Sequence, residues 1–184
     1  MDSFEQVVSE LLWNQGFWVW TSFKVKLTKE DKQAIELPTS PRWELDIVAY
    51  DASSNIVHVV ECKSFFDNPG VGARWISDDI PASKAGLLKL FRNDNLRKVV
   101  FSRLKQQLVE EKRCRPNPKI RLALACGHTK ASNRAELRKH FDAKGWDLYD
   151  EDWLRVELKK VAKSGYDNRV SAVVAKLAYR EEAK

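Results

Sequence analysis

Residues 43–63 read WELDIVAYDASSNIVHVVECK. Two runs rich in β-branched and aromatic residues flank Asp51-Ala52-Ser53-Ser54-Asn55, a stretch of turn-forming side chains, and the pattern predicts a β-hairpin. With residues 52–55 as the loop, Asp51 faces Ile56, and pairing outward from there sets Asp46 opposite Glu61. Lys63 leaves the strand on the same face as Glu61, because side chains alternate with period two. Three charged groups then converge within roughly 5–8 Å between Cβ atoms.

The second strand, Ile56 to Lys63, is apolar on both faces until its charges begin. That pattern marks a central strand covered on both sides, whose end opens into a cleft. Carboxylates facing one another repel, and a divalent cation resolves the repulsion; an all-oxygen donor set suits Mg²⁺ or Mn²⁺ rather than zinc. The competing reading is a solvent-facing hairpin end, with Glu44, Asp46, Glu61 and Lys63 as cross-strand ion pairs.

Outward from the hairpin, residues 3–15 predict a helix with Phe4, Val7, Val8, Leu11 and Leu12 on one face, stopped by Gly16. Residues 17–27 predict a strand, and 28–42 a polar loop containing Pro38 and Pro41. Residues 65–92 are interrupted by Pro69, Gly70, Gly72, Pro81 and Gly86 and are expected to form a mobile, irregular loop beside the site. A helix over 95–113, a strand over 119–125, a helix over 132–144 with Ser132 as N-cap, and a strand over 146–149 follow. Two more helices are expected over 151–163 and 168–182. The order predicts an α/β fold with a mixed central sheet flanked by helices. Residues 1–184 read as a single domain, with a core over about 1–149 and a C-terminal helical extension over about 150–184.

The net charge of +6 is unevenly spread. Residues 1–83 are net acidic, and the excess of Lys and Arg concentrates between residues 84 and 121. Such a block suits a polyanion, because neutralising phosphates releases condensed counterions; the plainer alternative is a solvated helix face. Three cysteines without CxxC spacing argue against a disulfide framework and for a reducing cytoplasm. Cys126-Gly127-His128 lacks a second pair at zinc-finger spacing. No apolar run approaches membrane-spanning length, so no membrane partner is expected. His58 alternates with valines and reads as a packed strand histidine, whereas His128 and His140 have no partners for nucleophilic hydrolase chemistry.

Leu45-Asp46 followed by Glu61-Cys62-Lys63 resembles the motif of the PD-(D/E)xK nuclease superfamily, an Asp on one strand and Glu-x-Lys on the next. The stretches Trp43 to Ala49 and Val59 to Ser64 are most similar to its archaeal Holliday junction resolvase branch, with Leu45 where the motif's Pro would stand. The resemblance implies a restriction endonuclease-like core and Mg²⁺-dependent cleavage of DNA, with Mn²⁺ able to substitute. Asp46 and Glu61 would hold the metal, helped by the Cys62 carbonyl, and Lys63 would position or deprotonate water or stabilise developing charge. The resemblance also implies an acidic residue from the first helix, for which Glu5 and Glu10 compete. Glu5 is favoured, lying about 20° from Leu12 at the border of the apolar face. Gln106, with Gln107 alongside it, is the candidate for a helical Gln that reaches the site in some relatives. Ser64, Arg74, Trp75, Lys84 and Lys89 are candidates for contact with phosphates or bases.

No sequence-reading module is evident, so recognition by DNA structure, by a second copy or by a partner protein is expected. The alternative function is a catalytically inactive nucleic-acid-binding module with a nuclease-like fold.

Overall fold

The computed structural model describes residues 1–37, 39, 42–67, 70–72, 75–76, 86–165 and 167–179. Its centre is a five-stranded open sheet of order β1 (Trp18–Val25), β2 (Trp43–Asp51), β3 (Ile56–Lys63), β4 (Lys119–Cys126) and β5 (Asp147–Tyr149). The first two pairings are antiparallel and the last two parallel. The parallel pairs require crossovers. α4 (Asp94–Glu110) lies in the first, and α5 (Arg134–Lys144), preceded by a 3₁₀ turn over Ala131–Asn133, forms the second.

Each face of the sheet carries its own core, so the fold is a three-layer α/β arrangement. On one face Val57, Val59, Leu122 and Leu124 pack beneath Leu96, Val100, Leu104 and Leu108 of α4 and beneath Leu137 and Phe141 of α5. On the other, Val60, Cys62, Ala123 and Ala125 meet Phe4, Val8, Leu11 and Leu12 of α1 (Ser3–Asn14). The same cluster takes in Leu154, Val161 and Ala162 of α6 (Glu151–Lys163) and Ala172 and Ala175 of α7 (Val170–Tyr179). Small side chains on this face let three helices sit close to the sheet. Their alternation with large residues on β4 assigns each face its layer.

Local chemistry explains the ends of these elements. Asp51 accepts from the amide and hydroxyl of Ser53 and the hydroxyl of Ser54, which closes the hairpin turn and pulls the Asp51 pKa down to about 2. Asp2 and Glu5 form a capping box at the start of α1. The expected 28–42 loop contains a short helix, α2 (Lys29–Ala34), opened by a second capping box of Thr28 and Asp31. The described parts of the expected 65–92 loop are largely docked: Val71 and Ile76 are buried, Val71 pairs with Thr129, and α3 (Lys89–Arg92) buries Leu90 and Phe91. Ser132 does not cap α5; Asn133 holds the N-cap position, without a side-chain bond.

His58 is packed as expected. Its Nδ1 lies 2.9 Å from Asp147 Oδ2, and its ring stacks on Phe17 at 5.2 Å. Much of the basic block is engaged within the fold. Arg97 pairs with Asp94, Arg103 with Asp31 and Arg113 with Glu111, while Arg115 donates to the Ala52 carbonyl. Among the described residues Lys98, Lys105 and Lys112, at heptad spacing along and just beyond α4, form no ion pair. No helix among the described residues is long and apolar enough to cross a membrane.

Candidate active site

The β2–β3 ladder runs from Asp51 opposite Ile56 to Ile47 opposite Val60, in the register that the hairpin turn predicts. It stops one pair short of Asp46 and Glu61. There the strands part, and the Cys62 amide donates to Asp46 Oδ2 at 2.7 Å. On the other side of β2 the pairing also lapses: Ser22, which falls opposite Asp46 in register, has φ of 49°. Leu45 belongs to the same core cluster as Val48 and Tyr50, whereas Ile47 and Ala49 belong to the other. Strict alternation thus breaks at Asp46, and Phe23 and Trp20 show the same break across Ser22. Asp46 sits at a shared kink of two neighbouring strands, and kinks of this kind re-aim a side chain.

Three oxygens converge on the Lys63 ammonium. It lies 2.9 Å from Glu61 Oε1, 2.9 Å from the Cys62 carbonyl and 3.8 Å from Asp46 Oδ2. Burial raises the Glu61 pKa above its ordinary 4.5; Lys63 opposes that rise, and Asp46 and Glu5 add to it. For Lys63 burial acts downward, but the Glu61 carboxylate, its hydrogen bond and Asp46 outweigh it, leaving the pKa above the ordinary value. Burial, with these acids nearby, pushes the Cys62 thiol up, so Cys62 contributes its backbone and not a thiolate.

Glu5 reaches the same electrostatic neighbourhood from α1. Its carboxyl is raised by burial first and by Asp46 among its neighbours, while the Asp2 amide bond acts the other way. Its Oε2 accepts from the Asp2 amide at 3.0 Å and lies 3.6 Å from the Met1 ammonium. Glu5 is therefore both a first-turn capping acid and a neighbour of Asp46 and Glu61. Glu10 points elsewhere: it accepts from the Ser171 amide at 2.7 Å and ties α1 to the start of α7.

The remaining sequence candidates are more dispersed. Ser64 follows Lys63 directly and is partly buried. Trp75 packs edge-on against Phe65 at 4.9 Å beside the larger core. Lys89 is exposed on α3, at a depression shared with Ile35 and Leu37. Gln106 is exposed, hydrogen-bonded to Arg103 and Glu110, and is not brought to the site. Its neighbour Gln107 is the inward-facing one; it binds the Lys26 amide and the Lys24 carbonyl beyond the kink of β1. Arg74 and Lys84 lie outside the described residues.

Two residues escape sequence reasoning. Ser22 looks like any strand serine, since nothing in its identity announces a left-handed φ. Gly127 carried a faint signal, the glycine directly after a strand. Its amide donates to the Lys63 carbonyl at 3.1 Å, and a Cβ there would run into the Ser64 carbonyl and the Phe66 ring. It is the backbone clamp that fixes where β3 leaves the sheet.

Among the described residues no three His, Cys, Asp or Glu side chains stand grouped closely enough, as arranged, to hold a metal ion. The donor chemistry nonetheless fits a hard cation, since the oxygens of Glu61, Asp46 and Cys62 already gather around a positive charge. That charge is the ammonium of Lys63. No family model, curated protein or solved structure matches the chain.

Proposed function

We propose that the chain is a Mg²⁺-dependent DNA endonuclease, a phosphodiester hydrolase on a restriction endonuclease-like fold, with Mn²⁺ able to replace Mg²⁺. One observation carries this reading: two carboxylates and a backbone carbonyl converge on a single cationic position where two strands part. A bound divalent ion would lower the pKa of a water and polarise the scissile phosphate. Asp46, Glu61 and the Cys62 carbonyl would hold that ion, with Glu5 at the edge of the set.

The protein's own groups divide the remaining work. The Cys62 amide aligns Asp46, and the kink at Ser22 turns that carboxylate out of the regular ladder. Lys63, held protonated by Glu61, favours a role in orienting water or stabilising charge over one as general base. A divalent ion held by these oxygens would take the place of the Lys63 ammonium among them, and Lys63 would then be available to stabilise charge on a bound phosphate. Lys98, Lys105 and Lys112 supply a row of cations for backbone contact.

The test is cleavage of plasmid and branched DNA with Mg²⁺ or with EDTA, by wild type and by Lys63→Ala. Metal-dependent cutting that falls by about 10²-fold or more in the variant is expected. Equal cutting by both proteins sinks the assignment of Lys63. Salt-dependent DNA binding without any cutting would mark the chain as an inactive binding module.

A further inference from the structure

Beside the candidate site, α1, β1 and the segment before α7 enclose a cavity of about 340 Å³ with an aromatic wall. Trp13, Val19 and Thr21 line it, and Glu10, Asp167 and Arg169 supply its charges. The Arg169 guanidinium lies 4.0 Å from the centre of the Trp13 ring. Asp167 fixes that guanidinium, accepting from Arg169 Nε at 2.6 Å, from Nη2 and from the Arg169 backbone amide. Trp13 is still 56% exposed, which leaves ring surface open for a second flat group. The aromatic wall is thus formed in advance, with its guanidinium held in place.

The cavity opens next to the acids of the candidate site. Thr21 directly precedes Ser22, which falls opposite Asp46. Ser9, also on the wall, follows Glu5 by four residues, about 6 Å along α1. The charges select the ligand. Arg169 is neutralised by Asp167 and Glu10 remains, so a phosphate would meet a net negative wall. A cationic ligand would find the Trp13 ring already carrying a guanidinium. A flat neutral group with amino hydrogens avoids both conflicts. It stacks on Trp13 and donates to Glu10, whose two oxygens accept one N–H each, from Gln6 and from Ser171, and keep lone pairs to spare. Thr21 adds a hydroxyl to the same wall.

We propose that this cavity takes one unpaired nucleobase of the DNA strand being cut, stacked on Trp13 and read by Glu10 through its exocyclic amino group. The choice of a base within a DNA strand rests on the nuclease reading. Cytosine, adenine and guanine carry such an amino group, and thymine has none. A base inside a duplex reaches the cavity only by leaving the stack, which costs unpairing and unstacking. Strands with an unpaired nucleotide beside the scissile phosphate are therefore the preferred substrates. Selection by DNA structure is then supplied by α1 and β1 themselves, with no separate reading module.

Binding in the absence of metal tests the cavity apart from the cleavage chemistry. Fluorescence anisotropy on the full chain in EDTA uses labelled oligo-dC and oligo-dT of about ten nucleotides and a fully paired duplex. Oligo-dC is expected to bind about fivefold or more tighter than oligo-dT. Trp13→Ala should weaken oligo-dC binding about fivefold or more and leave duplex binding unchanged. Glu10→Gln, whose amide both donates and accepts, should bring oligo-dC and oligo-dT together. Circular dichroism checks that the variants fold, which Trp13→Ala at an exposed ring should not disturb. Equal binding of oligo-dC and oligo-dT by wild type, or oligo-dC binding unchanged in Trp13→Ala, overturns the proposal. So does an equal loss of duplex binding in Trp13→Ala, or a dC preference that persists in Glu10→Gln. If Mg²⁺-dependent cutting is seen alongside any of these results, the cavity alone fails. If neither binding nor cutting is seen, the nuclease reading fails with it.

Discussion

The Cys62 amide donates to the Asp46 carboxylate at 2.7 Å, in the place where the next backbone pair of the β2–β3 ladder would form. One side chain thereby ends a ladder, satisfies the first unpaired amide and is held in position itself. Asp46→Ala leaves that amide without its acceptor, at a cost of about 1–3 kcal/mol. Asp46→Asn retains a side-chain oxygen and is expected to unfold close to wild type. Thermal melts separate the two, because each kcal/mol moves Tm by about 2–4 °C in a chain of this size. Equal melting of Asp46→Ala and wild type would show that the bond contributes nothing.

Glu61 carries a stability cost that grows with pH. Its folded pKa lies above 4.5, raised by burial first, so the native state binds its proton more tightly than the unfolded chain does. The contribution of the protonated form is whole below pH 4.5 and is lost as pH rises through the folded value. Glu61→Gln should therefore melt higher than wild type at neutral pH, with the advantage shrinking on acidification below that window. An advantage that grows on acidification would reverse the assigned sign.

Divalent metal should recover part of that cost. If the oxygens around Lys63 take up Mg²⁺, saturation to about 100 times Kd stabilises the fold by about 2.7 kcal/mol. The same titration on Asp46→Asn should show a much smaller rise in Tm. An identical rise in both proteins would place the metal elsewhere.

Gly127 should tolerate no side chain. A Cβ at this position meets the Ser64 carbonyl and the Phe66 ring, so Gly127→Ala must displace the segment that follows Lys63. Loss of about 1–3 kcal/mol is expected, as for other overpacked sites. Any cleavage activity should fall further than this stability loss explains, whereas Gly145→Ala, at an open helix end, should leave activity intact. Full activity in Gly127→Ala would remove the clamp from the account.

The core of the buried layer offers a control for these effects. Leu104 is fully buried on α4 beneath the sheet, far in chemistry from any charge. Leu104→Ala should cost about 2–5 kcal/mol through lost contacts and a residual cavity. Metal binding per folded molecule should be unchanged, as isothermal titration below the new Tm would show.

The hairpin was legible in the sequence because its signals are local. Turn chemistry at Asp51 to Asn55 sets the register, period-two alternation sets the faces, and the doubly apolar β3 announces a covered central strand. Residues Asp46, Glu61 and Lys63 came together for the same reason; an acid from the first helix was implied by the resemblance alone, and the face of that amphipathic helix only favoured Glu5 over Glu10. The 28–42 segment reads as plain loop because α2 is short and buries none of its own residues, although Thr28 and Asp31 carry its capping signal. Gln106 is the sequence candidate but lies on the exposed face, because one residue of helical rotation separates it from Gln107, which is locked onto β1.

Sequence alone thus determined the strand order around the hairpin, the alternation of layers and the chemical identity of the charged centre. Tertiary structure decided where the ladder stops. The kink at Ser22 and Asp46, the clamp from Gly127 and the engagement of most of the basic block's arginines are products of chain segments distant in sequence. Local pattern encodes which way a side chain points. Only packing decides whether two strands stay paired to their ends, because that balance is struck among backbone hydrogen bonds, burial and the charges that gather at the gap.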